Sequence, residues 1–164
     1  MINKKFIPSI MVISGIFGFI YETIFYRIDL GYFIKRGTTF GPWIPIYAFG
    51  GLFILLFSYK YKDKPLLVFL INILVTGLLE YLTGYVLLKY FNIRLWDYNN
   101  EILNYGNING FICLRSVLFF GLSSLFLIYI IVPFIEKIYN KKIEVISIIL
   151  LSIFMLDMIL YRIL

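Results

Sequence analysis

Apolar residues come in five long runs along the chain, separated by shorter polar or charged segments: about 6–26, 43–59, 65–89, 110–134 and 143–163. A helix needs roughly 20 apolar residues to cross a hydrocarbon core about 30 Å thick. The pattern therefore predicts an all-α fold, a polytopic integral membrane bundle of five transmembrane helices, with residues 1–164 as a single transmembrane domain. The second run is short and contains Pro45, so its entry should be irregular. Pro8, Pro42 and Pro65 lie near predicted helix starts, where a missing N–H is harmless, and Pro133 lies near the end of the fourth helix. Lys4 and Lys5 ahead of the first run could introduce a signal peptide. The run is too long for that, however, Glu22 interrupts it and no A-x-A-like site follows.

Composition agrees with the bilayer as solvent. The chain is 62% hydrophobic and 15% charged, against roughly 45–50% and about 25% for soluble domains, which leaves too little polar surface to cover a core in water. A soluble enzyme, a disordered chain and a disulfide scaffold are excluded, the last also because Cys113 is the single cysteine. The absence of histidine removes histidine base chemistry and His-ligated zinc or haem, and no metal or cofactor is expected. The net charge of +6 sits in the links between runs, which points to membrane topology rather than nucleic acid. Alternating crossings place eight basic residues on the N-terminal side and six on the other, so the N-terminus is expected in the cytoplasm. The chain has no G-x-x-x-x-G-K-[ST] loop, so an ATPase that drives it would be a separate chain.

Four charged residues fall inside the runs, away from their ends: Glu22, Glu80, Arg115 and Asp157. Each costs about 2.5–3.5 kcal/mol at mid-membrane, so they should face one another or a wet cavity. All four belong to the half of the bilayer next to two long links, 27–42 and 90–109, which are rich in Gly, Asn and aromatic residues. Glu22 shares a helical face with Gly18 and Ser14, where small residues permit close approach. Glu80 shares one with Asn72, Thr76 and Thr83, a polar stripe that should avoid lipid. The four could pair as interhelical ties, or line a polar cavity for a headgroup, ion or proton, with Arg36 or Arg94 descending from the links. Cys113 reads as a small buried residue, since no histidine base accompanies it. Asp97 with Glu101 could hold a divalent cation, but two carboxylates do not define a metal site. A repeat is also visible: Gly18-x-x-x-Glu22, a link, then Gly41; and Gly77-x-x-Glu80, a link, then Gly110.

Several motifs follow in order: Arg36-Gly37; Gly41-Pro42-x-x-Pro45-Ile46-Tyr47-x-x-Gly50; Glu80-Tyr81-x-Thr83-Gly84; Trp96-Asp97-Tyr98; and Asn107-x-x-Gly110-x-Ile112-Cys113-Leu114-x-Ser116. From Gly18 to Gly121 the chain resembles the putative ABC-transporter type IV family, small bacterial integral membrane proteins labelled permeases. It departs at Ala48, where the family favours glycine, and in a longer stretch from Tyr98 to Asn107; Arg115 and Asp157 lie outside the motifs. The resemblance implies a permease-like multi-pass protein of the bacterial plasma membrane. Its partners would be membrane lipids, a separate ATPase subunit or a second copy, and not nucleic acid. Substrate or cavity candidates are Glu22, Arg36, Glu80, Trp96, Asp97, Tyr98, Arg115 and Asp157. Gly41, Pro42, Pro45, Tyr47, Gly84, Gly110 and Cys113 are expected to shape the backbone. Gly41-Pro42 and Gly50-Gly51 would permit a tight or re-entrant path, and Asp97 would pair with Arg36 or Arg94. The alternatives are a membrane-embedded enzyme acting on a lipid or lipid-linked substrate, with Glu22 and Glu80 as acid and base, and a non-catalytic membrane assembly protein.

Overall fold

A computed structural model describes residues 3–163. Six α-helices account for most of them: α1 (Ile7–Leu30, preceded by a 3-10 turn at Lys4–Phe6), α2 (Pro45–Ser58), α3 (Pro65–Phe91), α4 (Leu114–Phe126), α5 (Val132–Ile138) and α6 (Lys141–Ile163). A π-turn, Leu127–Ile131, joins α4 to α5, so Leu114–Ile138 is one 25-residue rod. Pro133 accounts for the widened turn: its ring crowds the carbonyl four residues back and it has no N–H to offer.

Among the described residues, four helical stretches are long and apolar enough to cross a membrane: Lys4–Leu30, Pro65–Phe91, Leu114–Ile138 and Lys141–Ile163. The expected fifth spanning helix is not formed. α2 has 14 residues, about 21 Å against a core of about 30 Å. Prolines are the physical reason. Pro42 and Pro45 each push the preceding residue out of the helical region, and neither carries an N–H. The apolar run therefore stays non-helical until Pro45, which takes the first helical position.

The chain forms two compact units, Met1–Leu52 with Tyr129–Leu164, and Phe53–Ile128. In the first, α1 and α6 run parallel. Ser9 and Ser147 share a buried hydrogen bond of 2.7 Å, and Phe154 packs where Gly15 leaves room. The core around them holds Met11, Trp43, Ala48 and Phe154. The start of α2 descends antiparallel along α1. The Tyr47 ring covers Gly18, Ala48 lies beside Gly15, and Gly51 meets Ser14. The Ile44 N–H donates to the Gly15 carbonyl at 3.0 Å. Gly15 lies about 22 Å along the axis from the Leu30 end of α1. The link that leaves α1 through the left-handed Gly31 (φ 81°) thus folds back along the helix before α2 begins.

In the second unit α3 and α4 run antiparallel, with Val117 at Gly77 and the Phe69 ring at Gly121. The faces of α3 separate cleanly. Val68, Asn72, Thr76, Glu80 and Gly84 are buried at four-residue spacing, whereas Leu66, Leu70, Leu74, Leu78 and Leu82 are exposed. The expected polar stripe does face inward. Its Asn72 amide donates to Ser58 Oγ at 2.9 Å and to the Val68 carbonyl at 2.8 Å. The Gly77–Val117 contact sets the start of α4 level with Glu80, about 16 Å short of the Phe91 end of α3. The second link occupies that height.

Candidate functional site: acids held by folded-back links

On the first link, Arg36 Nε donates to Glu22 Oε2 at 2.9 Å, with each side chain 17% exposed. The guanidinium carbon lies 3.7 Å from the centre of the Tyr26 ring. Glu22 and Tyr26 are one helical turn apart, so α1 presents a carboxylate and an aromatic face to one arginine. Arginine's planar fork suits both contacts at once.

Beyond Arg36 the link must satisfy its own backbone. Asp157, nearly buried on α6, accepts from Phe40 N–H and Gly41 N–H at 2.8 Å each and from the Trp43 indole at 2.7 Å. The buried Thr39 hydroxyl donates to the Trp43 carbonyl at 2.7 Å and lies 3.3 Å from the Gly41 carbonyl. Pro42 has no donor, and Ile44 bonds Gly15. A side chain at Gly41 would lie 2.6 Å from the Trp43 ring. Non-helical backbone is tolerated at membrane depth only where protein meets its polar groups, and here a carboxylate, a hydroxyl and a helix carbonyl do so.

On the second link, Glu80 accepts a hydrogen bond from the Tyr98 hydroxyl. The other side of that ring region belongs to Arg115, whose guanidinium carbon is 5.3 Å from the ring centre. Arg115 also holds the Glu101 carboxylate and the Ile102 carbonyl, the latter at 3.1 Å. Closer to the end of α3, Arg94 Nη2 donates to Asp97 Oδ1 at 3.0 Å and to the Asn109 carbonyl at 2.8 Å. Gly110 adopts φ 74°, and a side chain there would collide with Arg94, Asp97 and Asn99. Trp96 donates its indole N–H to the Phe111 carbonyl at 2.9 Å. Both rings close over Gly84, where a Cβ would stand 2.8 Å from Phe111 and 3.3 Å from Trp96. Cys113 is buried at the start of α4, and its N–H donates to Ser116 Oγ at 3.2 Å.

The structure therefore brings Glu22 to Arg36 and Glu80 to Tyr98, with Arg115 beside the Tyr98 ring and paired with Glu101. Asp97 takes Arg94 of the two arginines expected for it. Asp157 binds the first link's backbone. Asp97 and Glu101 are each engaged by an arginine of their own, Arg94 and Arg115, and among the described residues no cluster of three or more Cys, Asp or Glu side chains could hold a metal. Sequence reasoning missed Glu101 as the partner of Arg115 and Thr39 as the inner strut of the first link. The signal for Glu101 was a second acid, against a single arginine, in an Asn-rich link close ahead of an intramembrane arginine.

Membrane-length apolar helices, inward polar stripes and charged groups met by neighbouring links define a multi-pass membrane protein. The chain belongs to the family described as Putative ABC-transporter type IV, which matches residues 9–161. That match extends past the motif-bearing stretch on both sides and includes most of α6. Family and helices together fit a membrane transporter component. No curated protein and no solved structure matches the chain significantly.

Proposed function

We propose that this chain is the membrane-embedded subunit of an ABC-type transporter and that its broken second crossing carries the solute contacts. The supporting observation is the start of α2 alongside Gly15, about 22 Å from the Leu30 end of α1. A folded-back link followed by a half-length helix is the arrangement in which transporters expose backbone groups and a helix N-terminus at mid-membrane. Glu22 stands one turn beyond Gly18, with Arg36 on it. Displacing Arg36 would open that carboxylate to a solute, and displacing Tyr98 would open Glu80.

The folded-back link and α2 together, rather than a fifth spanning helix, would provide the return path between α1 and α3. The eight-to-six distribution of basic residues then favours a cytoplasmic N-terminus. None of the 164 residues forms a P-loop, so the energy would come from an ATPase subunit on another chain.

The test is a deletion strain complemented with wild type, Glu22→Gln, Arg36→Ala or Glu80→Gln and compared by lipid and metabolite profiling. The proposal requires the variants to insert at wild-type levels and yet give the deletion profile. Variants that insert and restore the wild-type profile would overturn it.

A further inference from the structure

We propose that the end of α3 and the second link form a binding site for the phosphate of an anionic phospholipid. The inference stands apart from the transport reading. It rests on a cavity of about 520 Å³ lined by Tyr85, Lys89, Arg94, Asn99, Asn109 and Phe111.

The lining has the chemistry of a lipid headgroup site. Lys89 forms its hydrogen bond with the neutral Tyr85 hydroxyl, at 2.8 Å, and sits 5.1 Å and 5.4 Å from the Tyr85 and Tyr90 ring centres. Among the described residues no carboxylate lies within ion-pair distance of it. Arg94 spends Nη2 on Asp97 and the Asn109 carbonyl, which leaves Nη1 and Nε to donate. With Asp97 counted, the cavity keeps a net positive charge, matched to one phosphodiester. The Asn109 side chain supplies a carboxamide for a polar headgroup, while that of Asn99 is held by Asp97 and Asn107, at 2.6 Å and 3.0 Å, and shapes the wall.

Position decides between a lipid and a solute. Lys89 is in the last turn of a 27-residue helix, about 40 Å long, so it reaches the headgroup level. Leading up to it on α3 are Leu78, Leu82 and Val86, all exposed, an apolar track for an acyl chain. Basic pockets at helix ends are where anionic headgroups bind.

The experiment uses the full chain in a neutral detergent, titrated with short-chain phosphatidylglycerol, short-chain phosphatidylcholine or inorganic phosphate and read by native mass spectrometry. The site predicts saturable phosphatidylglycerol binding that K89Q/R94Q weakens about thirtyfold. Lys142→Gln, on a different link, should leave binding unchanged. Phosphatidylcholine should bind weakly, and phosphate should not compete at concentrations equal to the lipid. Lys89→Glu, which changes the charge by the same two units, should weaken binding to a similar extent at an unchanged melting temperature, which separates charge from misfolding. Equal binding by wild type and the double variant would overturn the proposal. So would equal binding of the two lipids, and effective competition by phosphate would assign the cavity to a free anion.

Discussion

Asp157 gives up water for three N–H donors, two of them on the backbone of the first link. Hydrogen bonds to a charged group are worth about 1.5–3 kcal/mol each, and a buried donor left unmade costs about 1–3 kcal/mol. Asp157→Asn places an NH₂ where one of those donors points, so it should destabilise the protein by about 1–3 kcal/mol. The check is a lower melting temperature in detergent than Ser9→Ala produces, because Ser9 loses a single neutral bond of about 0.6 kcal/mol; an equal or higher temperature would contradict the assignment. Tyr98→Phe keeps the ring beside Arg115 but strips Glu80 of its hydroxyl donor, and should also lower the melting temperature. Of the ion pairs, Glu22 with Arg36 was legible only in part: the sequence offered Arg36 or Arg94 as an arginine descending from a link and did not say which acid would take it. The role of Asp157 was not legible. Its own face, shared with Ile153 and Tyr161, names no partner, and two of the three donors it meets are backbone groups that every residue except proline carries.

At the scale of elements, α3 was readable from spacing alone. Its polar residues recur every four positions and its exposed leucines recur on the other face, as a helix between protein and lipid requires. α2 misled for an identifiable reason: hydropathy reports what the bilayer accepts and does not report whether the backbone is helical. The two prolines and Gly41 carried the missing information. The packing of α2 on α1 makes a sharp prediction about adjacent glycines. A Cβ at Gly50 meets nothing within 4 Å, whereas one at Gly51 overlaps Ser14. Gly50→Ala should be neutral or stabilising by up to about 1 kcal/mol through helix propensity. Gly51→Ala should cost about 1–3 kcal/mol, and Gly18→Ala the same against the Tyr47 ring. Thermal unfolding of the three variants checks this, and a Gly50→Ala loss equal to that of Gly51→Ala would refute the packing.

Over the whole molecule one plan appears in each unit. A long helix carries an acid that is met by the following link, that link folds back along it, and the next helix starts well below the top of the first. The sequence repeat around Gly18–Glu22 and Gly77–Glu80 anticipated the two acids, but the folding back depends on long-range contacts such as Ile44 to Gly15 and Trp96 to Phe111. The most direct measurement of this plan is cysteine trapping across α1 and α2 in native membranes, with Cys113 replaced by serine. A Cβ at Gly15 lies 3.5 Å from that of Ala48, inside the range of about 3.5–4.5 Å that a disulfide spans. A folded-back link predicts rapid disulfide formation in Gly15→Cys/Ala48→Cys and none in Phe25→Cys/Ala48→Cys. A full-length second helix entering at the level of Leu30 would bring Ala48 to Phe25 instead, and trapping of that pair with none at Gly15 would contradict the account.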